Sequence, residues 1–441
     1  MKQKVIFSFL LCGLASWIAC GKSYPNGGGG TTTILPHRAL ISNLTSSRVD
    51  IADTSRDLIV TTMSGDLPGK LLLSNDKKFT VSLSPIDNSV DLFLNARQTG
   101  IGAANLAGAS QSIVLTVDNG LLLGAVPTEA GPLGQAPGAV DVVTVAITTT
   151  NSTTSATMTR QPSIFLPGAR FLAASPNTNA MVAMSDLVPN PANLGGPSGR
   201  VWAIQTSLVN TNTQPYVEVL SPLWDHPVFA LGSADNSSAY VLNCGPECGG
   251  IQASIVLFTF PTQANPVPVV GSPLPIPGGA TVAFRNGNNL YVAGSVGLVG
   301  TLTTVDLATL TITGSYTIAD GYHDHVTLGA NNQLFIGARG CTVTRDTSVP
   351  PNPLKGFGCL SLFDTAKLTA KIKPPKPFIP PATDPGNDDV TGMTPIANRN
   401  EVYVIEAAEL EIYDTTTGLA KVFTNPPNII GQGVDVVAVD F

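Results

Sequence analysis

Val228-Phe229-Ala230-Leu231, Asp235-Asn236-Ser237-Ser238 and Tyr240-Val241-Leu242-Asn243 follow one another in a single stretch of the chain. Two short apolar runs flank a polar turn, and Asp and Asn tolerate the positive φ that tight antiparallel turns need. A third run, Ile255-Val256-Leu257, follows after a longer loop. The pattern predicts strand, tight turn, strand, long loop, strand. The first two strands and their turn return at residues 281–293, around Asn331-Asn332, and at residues 394–405.

The third run returns more often. It reads Val49-Asp50-Ile51, Val90-Asp91-Leu92, Val140-Asp141-Val142 and Val201-Trp202-Ala203 before the copy at Ile255. After it come Leu302-Thr303-Thr304-Val305-Asp306, Leu360-Ser361-Leu362-Phe363-Asp364 and Leu410-Glu411-Ile412-Tyr413-Asp414. These starts recur at a mean interval of about 52 residues, near the period of a propeller blade. Composition agrees: of 441 residues only 12% are charged, while 43 are Gly and 35 Pro, so helix-forming Lys, Glu and Arg are scarce and turn formers abundant. We expect an all-β chain forming a single β-propeller of four-stranded antiparallel blades, seven or eight in number. The C-terminal run Val434-Asp435-Val436-Val437-Ala438-Val439 has no partner of its own, and residues 38–62 lack an inner strand. Their pairing would close the ring and leave no open sheet edge.

The repeat resembles the YVTN family of bacterial β-propellers. Tyr240-Val241-Leu242-Asn243 keeps three of the four letters of that motif, and Tyr291-Val292 and Tyr403-Val404 keep two. Val305-Asp306-Leu307-Ala308-Thr309 and Tyr413-Asp414-Thr415-Thr416-Thr417 are similar to the second half of the repeat. The resemblance implies a secreted bacterial propeller.

The N-terminus points the same way. Lys2 and Lys4 precede an apolar run ending at Ile18-Ala19-Cys20, which reads as a signal peptide over residues 1–19. Ala19-Cys20 resembles a lipobox, with Trp17 in place of the usual Leu, so Cys20 is the expected lipidation site. Residues 20–36, with four consecutive glycines at 27–30, read as a flexible tether, and residues 37–441 as the propeller. Of six cysteines, Cys12 leaves with the signal and Cys20 takes the lipid, so four remain to pair. The expected location is the bacterial cell envelope, at the outer membrane where there are two membranes. The formal charge of −7 and the lack of a basic stripe argue against nucleic acid. Membrane contact is expected through the lipid alone.

In a four-stranded blade, the loops joining strands two to three and four to the next blade share one face. The segments 125–139, 185–200, 244–250, 340–358 and the Pro-rich 374–389 belong there, and we expect that face to bind. Cys244 with Cys248, and Cys341 with Cys359, each bracket one loop and are expected to form disulfides. His226, His323, Asp324 and His325 stand just before inner strands, where side chains approach the channel, and are the candidate catalytic residues. Alternation along a strand would aim His323 and His325 one way and Asp324 the other. Asp384, Asn387, Asp388 and Asp389 offer oxygen ligands for calcium without the spacing of an EF-hand. No other cofactor is expected, and no metal site: Cys-x3-Cys fits zinc poorly. Phosphate loops, G-x-S-x-G elbows and Cys-x-x-Cys pairs are absent from the sequence. The expectation is a binding scaffold, not an enzyme, for a protein or carbohydrate partner. The alternative is a lactonase-like hydrolase at the channel mouth.

Overall fold

Eight four-stranded antiparallel sheets follow one another along the chain. The computed structural model describes residues 35–441 except 67, 117–119, 152, 343–358, 373–388, 424–426, 428, 430 and 441. Residues 1–34, with the signal and Cys20, lie outside the described residues, as do Asp384, Asn387 and Asp388.

Blade 1 is built from both ends of the chain: His37–Asn43, Arg48–Asp53 and Leu58–Ser64 supply its outer three strands, and Gly433–Asp440 its inner one. The closing pair runs antiparallel with Ile41 opposite Val436 and Ala39 opposite Ala438. The remaining inner strands, blades 2 to 8, are Lys70–Leu73, Ser112–Thr116, Phe171–Ala174, Pro227–Gly232, Val282–Asn286, Tyr322–Leu328 and Val390–Pro395. The protein is an eight-bladed β-propeller, and the eight recurring apolar runs are the third strands of its eight blades.

Third strands recur legibly because neighbouring blades cover both faces of the mid-blade strands. Phe79–Ser84 and Leu121–Val126 are buried throughout, the first with Thr and Ser between its apolar residues and the second as a continuous apolar run. Outer strands such as Thr311–Ile318 alternate and are mostly exposed. The core therefore lies between blades: Trp202 and Met181 of blade 4 pack on Val140 and Leu123 of blade 3, and Ile396 and Tyr403 of blade 8 on Ile41 and Ala52 of blade 1.

Two turn types repeat on one face. Between first and second strands, a Ser two residues before an Asp or Asn bonds to its side chain: Ser74 to Asp76, Ser175 to Asn177, Ser233 to Asp235. Between third and fourth strands, the Asp ending the third strand caps the turn. Asp306 accepts from Ala308 N, Asp364 from Ala366 N and Asp414 from Thr416 N. The fourth residue after each Asp has positive φ: Leu310, Leu368 and Gly418.

One long element departs from the expected asymmetry of the faces. Strands Ala139–Thr150 and Thr153–Phe165 of blade 3 run past the last pair that the former makes with the second strand, Thr144 with Leu121. This hairpin projects on the tight-turn face. Its Ala156 and Met158 rest on Gly102 in the outer strand of blade 2.

Candidate functional site

Every inner strand begins on the long-loop face, and there the eight strands enclose a cavity of about 770 Å³ lined from all eight blades. Its lining mixes charged side chains with Phe171, Phe229, Leu172 and Val228.

Blade 5 contributes Glu247. The Cys244–Cys248 disulfide, with Cα atoms 5.7 Å apart, closes a short 3-10 turn, Gly245–Cys248, that carries this residue over the channel. Glu247 Oε2 accepts a 2.8 Å hydrogen bond from Ser295 N of blade 6. It lies directly over Gly279, where an added Cβ would sit 2.2 Å from the carboxylate oxygen. Burial pushes the carboxyl up to about 7.

Blade 4 contributes an ion pair. Arg170 Nη1 donates to Asp186 Oδ2 at 2.9 Å, and its guanidinium lies 5.3 Å from the centre of the Phe171 ring. Arg170 Nε also donates to Gln111 of blade 3. Asp186 Oδ1 is buried and has no hydrogen-bond partner among the described residues.

Blade 7 contributes Tyr322, Asp324, His325 and Arg339. Asp324 Oδ1 lies 2.5 Å from His325 Nδ1, and Arg339 Nε forms an ion pair with Asp324 Oδ2 at 2.8 Å. With Nδ1 held by the carboxylate, the other ring nitrogen is left for a ligand. Burial raises the Tyr322 phenol to about 12, with Asp324 and Glu247 acting in the same direction. From blade 1, Asp435 accepts from Leu71 N at 2.9 Å and Val436 N at 2.8 Å. Burial raises its carboxyl, opposed first by His325 and the Leu71 amide and then by Lys70.

The four candidate residues separate. Asp324 and His325 line the cavity together; His323 and His226 do not. The expected alternation fails because the register shifts between His323 and His325, so a bulge at Asp324 turns His323 into the interior. His323 is fully buried, and burial pushes its imidazole down to about 4. His226 Nδ1 lies 2.9 Å from Asp225 Oδ1, while Asp225 Oδ2 accepts from Ile251 N and Gln252 N. That pair fastens the end of the disulfide loop. Cys341 and Cys359 are also bonded, with Cα atoms 5.6 Å apart, at the end of one strand and the start of the next. Asp389 Oδ1 accepts from Gly340 N, tying the segment before blade 8 to blade 7. No group of three or more His, Cys, Asp or Glu among the described residues is placed to hold a metal ion.

Sequence reading missed Glu247, Asp186, Arg170 and Asp435. Only Glu247 carried a signal, its place inside the Cys244–Cys248 bracket.

The channel and its lining define the class, an eight-bladed propeller with an axial cavity, and solved structures share the fold. A dihydro-heme d1 dehydrogenase, NirN, solved in complex with DHE, matches with a TM-score of 0.60 at 12% identity, over 94% of this chain and 77% of that one. Apo AztD from Citrobacter koseri matches at 0.55 and 14% identity, over 91% of this chain and 98% of that one. A functionally unknown protein from Desulfotomaculum acetoxidans matches at 0.50 and 13% identity, over 91% and 99%. At such identities the likeness is one of fold. No protein-family model and no curated protein matches the chain. Among the described residues no helix is long and apolar enough to cross a membrane, and the two disulfides suit an oxidising, exported setting.

Proposed function

We propose that this protein is an exported binding protein that takes its ligand in the axial cavity, on the face that carries the long loops. The observation behind this reading is the convergence of all eight inner strands on one concave site of about 770 Å³, within the size range of small-molecule pockets. Arg170, Asp186, Glu247 and Tyr322 would orient the ligand, with Phe171 and Phe229 supplying apolar contact. The Gln111 side chain is exposed at the cavity and, among the described residues, is bonded only from Arg170. Replacing it with Trp should obstruct the site, so the Gln111→Trp variant should fold normally and lose the binding that a thermal-shift screen of small molecules detects in the wild type. Equal binding by the variant, or no small molecule bound by the wild type, would contradict the reading.

The Asp324–His325 pair favours one second reading, a lactonase-like hydrolase in which His325 acts as base. Lactone hydrolysis by the purified protein, abolished by His325→Ala, would replace the first reading with this one. We further propose attachment to the envelope by a lipid on Cys20, which mass spectrometry of the native N-terminus tests: an unmodified terminus elsewhere contradicts it.

A further inference from the structure

We propose that the axial cavity selects an organic cation bearing N–H donors, an aliphatic amine being the simplest member. The inference rests on the axial-binding reading above and adds the ligand's chemistry. Asp186, Glu247, Asp324 and Asp435 face Lys70, Arg170 and Arg339 around the cavity, so the carboxylates outnumber the permanent cations by one when all are ionised, and a bound cation draws Glu247 and Asp435 toward that state against the burial that raises them. Two of those cations are already engaged, Arg339 by Asp324 and Arg170 by Asp186 Oδ2.

The acceptor left over is Asp186 Oδ1. It belongs to a side chain only 10% exposed and has no hydrogen-bond partner among the described residues. A buried acceptor left unmade costs about 1–3 kcal/mol, and a ligand N–H removes that cost. Glu247 adds a second acceptor, its Oε2 held by a single backbone donor.

Spacing separates an organic cation from a metal ion. No three of these carboxylates and histidines are gathered closely enough for one ion. Their charge is distributed around a cavity of about 770 Å³, which suits an extended molecule. The same wall carries Phe171, Phe229 and Tyr322, and aromatic faces attract ammonium groups. An anion would meet the surplus carboxylate, and a neutral polyol would leave it unneutralised.

Three probes of one length decide the point by calorimetry: 1,8-diaminooctane, 1,8-octanediol and octanedioate. The diamine should bind in preference to the other two. Asp186→Asn and Glu247→Gln, both near-isosteric and checked for folding by circular dichroism, should each weaken it by about tenfold or more. Asp76→Asn, in a turn on the opposite face, should bind like the wild type. Equal or tighter binding of the diol or the diacid, or no measurable binding of the diamine, overturns the inference. Octanedioate binding that is lost in Arg170→Gln would leave the axial reading standing while cation selectivity falls. Diamine binding undiminished in both carboxylate variants would overturn the inference, and binding undiminished in Gln111→Trp as well would remove the axial reading itself.

Discussion

Leu368 sits at φ 56° in the turn that follows the third strand of blade 7, and its side chain is 53% exposed. Gly418 takes the same place in blade 8 at φ 67°. A leucine in left-handed backbone is strained by its Cβ, whereas glycine is not. Little packing is at stake, so Leu368→Gly should raise the unfolding free energy by about 0.5–1 kcal/mol, the strain relieved outweighing the added freedom of the unfolded chain. Urea denaturation measures it. A loss of stability would show that this turn is not strained. Glu247 makes the second residue-scale prediction. Its carboxyl is raised from 4.5 to about 7, so between those values the folded state holds a proton that the unfolded state releases. Stability from this group is therefore present below about pH 4.5 and is lost as pH rises through about 7. Glu247→Gln should lack that decline and gain on the wild type above pH 7, while its amide oxygen still accepts from Ser295 N. Parallel pH–stability curves for the two proteins would contradict the burial argument.

At the scale of elements, the blade 3 hairpin is held by its contact with blade 2. An added Cβ on Gly102 would lie 2.7 Å from Ala156 O and 3.3 Å from Met158 Sδ. Gly102→Val should therefore lift the hairpin, and amide exchange should quicken across residues 145–158 while inner strands stay protected. Unchanged protection there would mean that the contact does not hold the hairpin. This element also marks where sequence reading stopped. Val140-Asp141-Val142 announced the third strand of blade 3, but the Thr-rich run after it has the same period of two inside the sheet and beyond it. Nothing in such a pattern says where pairing with the second strand ends. The bulge at Asp324 was hidden for a related reason, since a register shift is fixed by the partner strand and leaves no mark on His323-Asp324-His325 itself.

At the scale of the molecule, closure joins residues that the sequence keeps far apart. Asp57 of blade 1 accepts from Tyr403 Oη at 2.8 Å, Arg399 Nη1 at 3.0 Å and Lys421 Nζ at 3.0 Å, all from blade 8. Arg399 and Lys421 also pair with Glu401. Asp57→Ala would leave the buried Tyr403 hydroxyl unpaired and unbalance the cations, costing about 2–4 kcal/mol. A urea midpoint within error of the wild type would show that the seam does not depend on this network. The same closure explains what was legible of the site. A ring of seven or eight blades, its closure and the face bearing the cavity followed from repeats and loop lengths, which are local, while the choice of eight came from the structure. Asp186, Glu247 and Asp435 meet only because blades 4, 5 and 1 surround one axis, and apart from the cysteine bracket around Glu247 no local pattern sets them apart from other acids.

The central claim is that the ligand is held on that axis. A crystal structure of the protein isolated from its native source, read for any small molecule bound to it, tests this most directly. Ligand density is expected in the axial cavity, within hydrogen-bonding distance of Asp186 Oδ1 or Glu247. A ligand seated among the tight turns of the opposite face, with the axial cavity filled only by solvent, would contradict it.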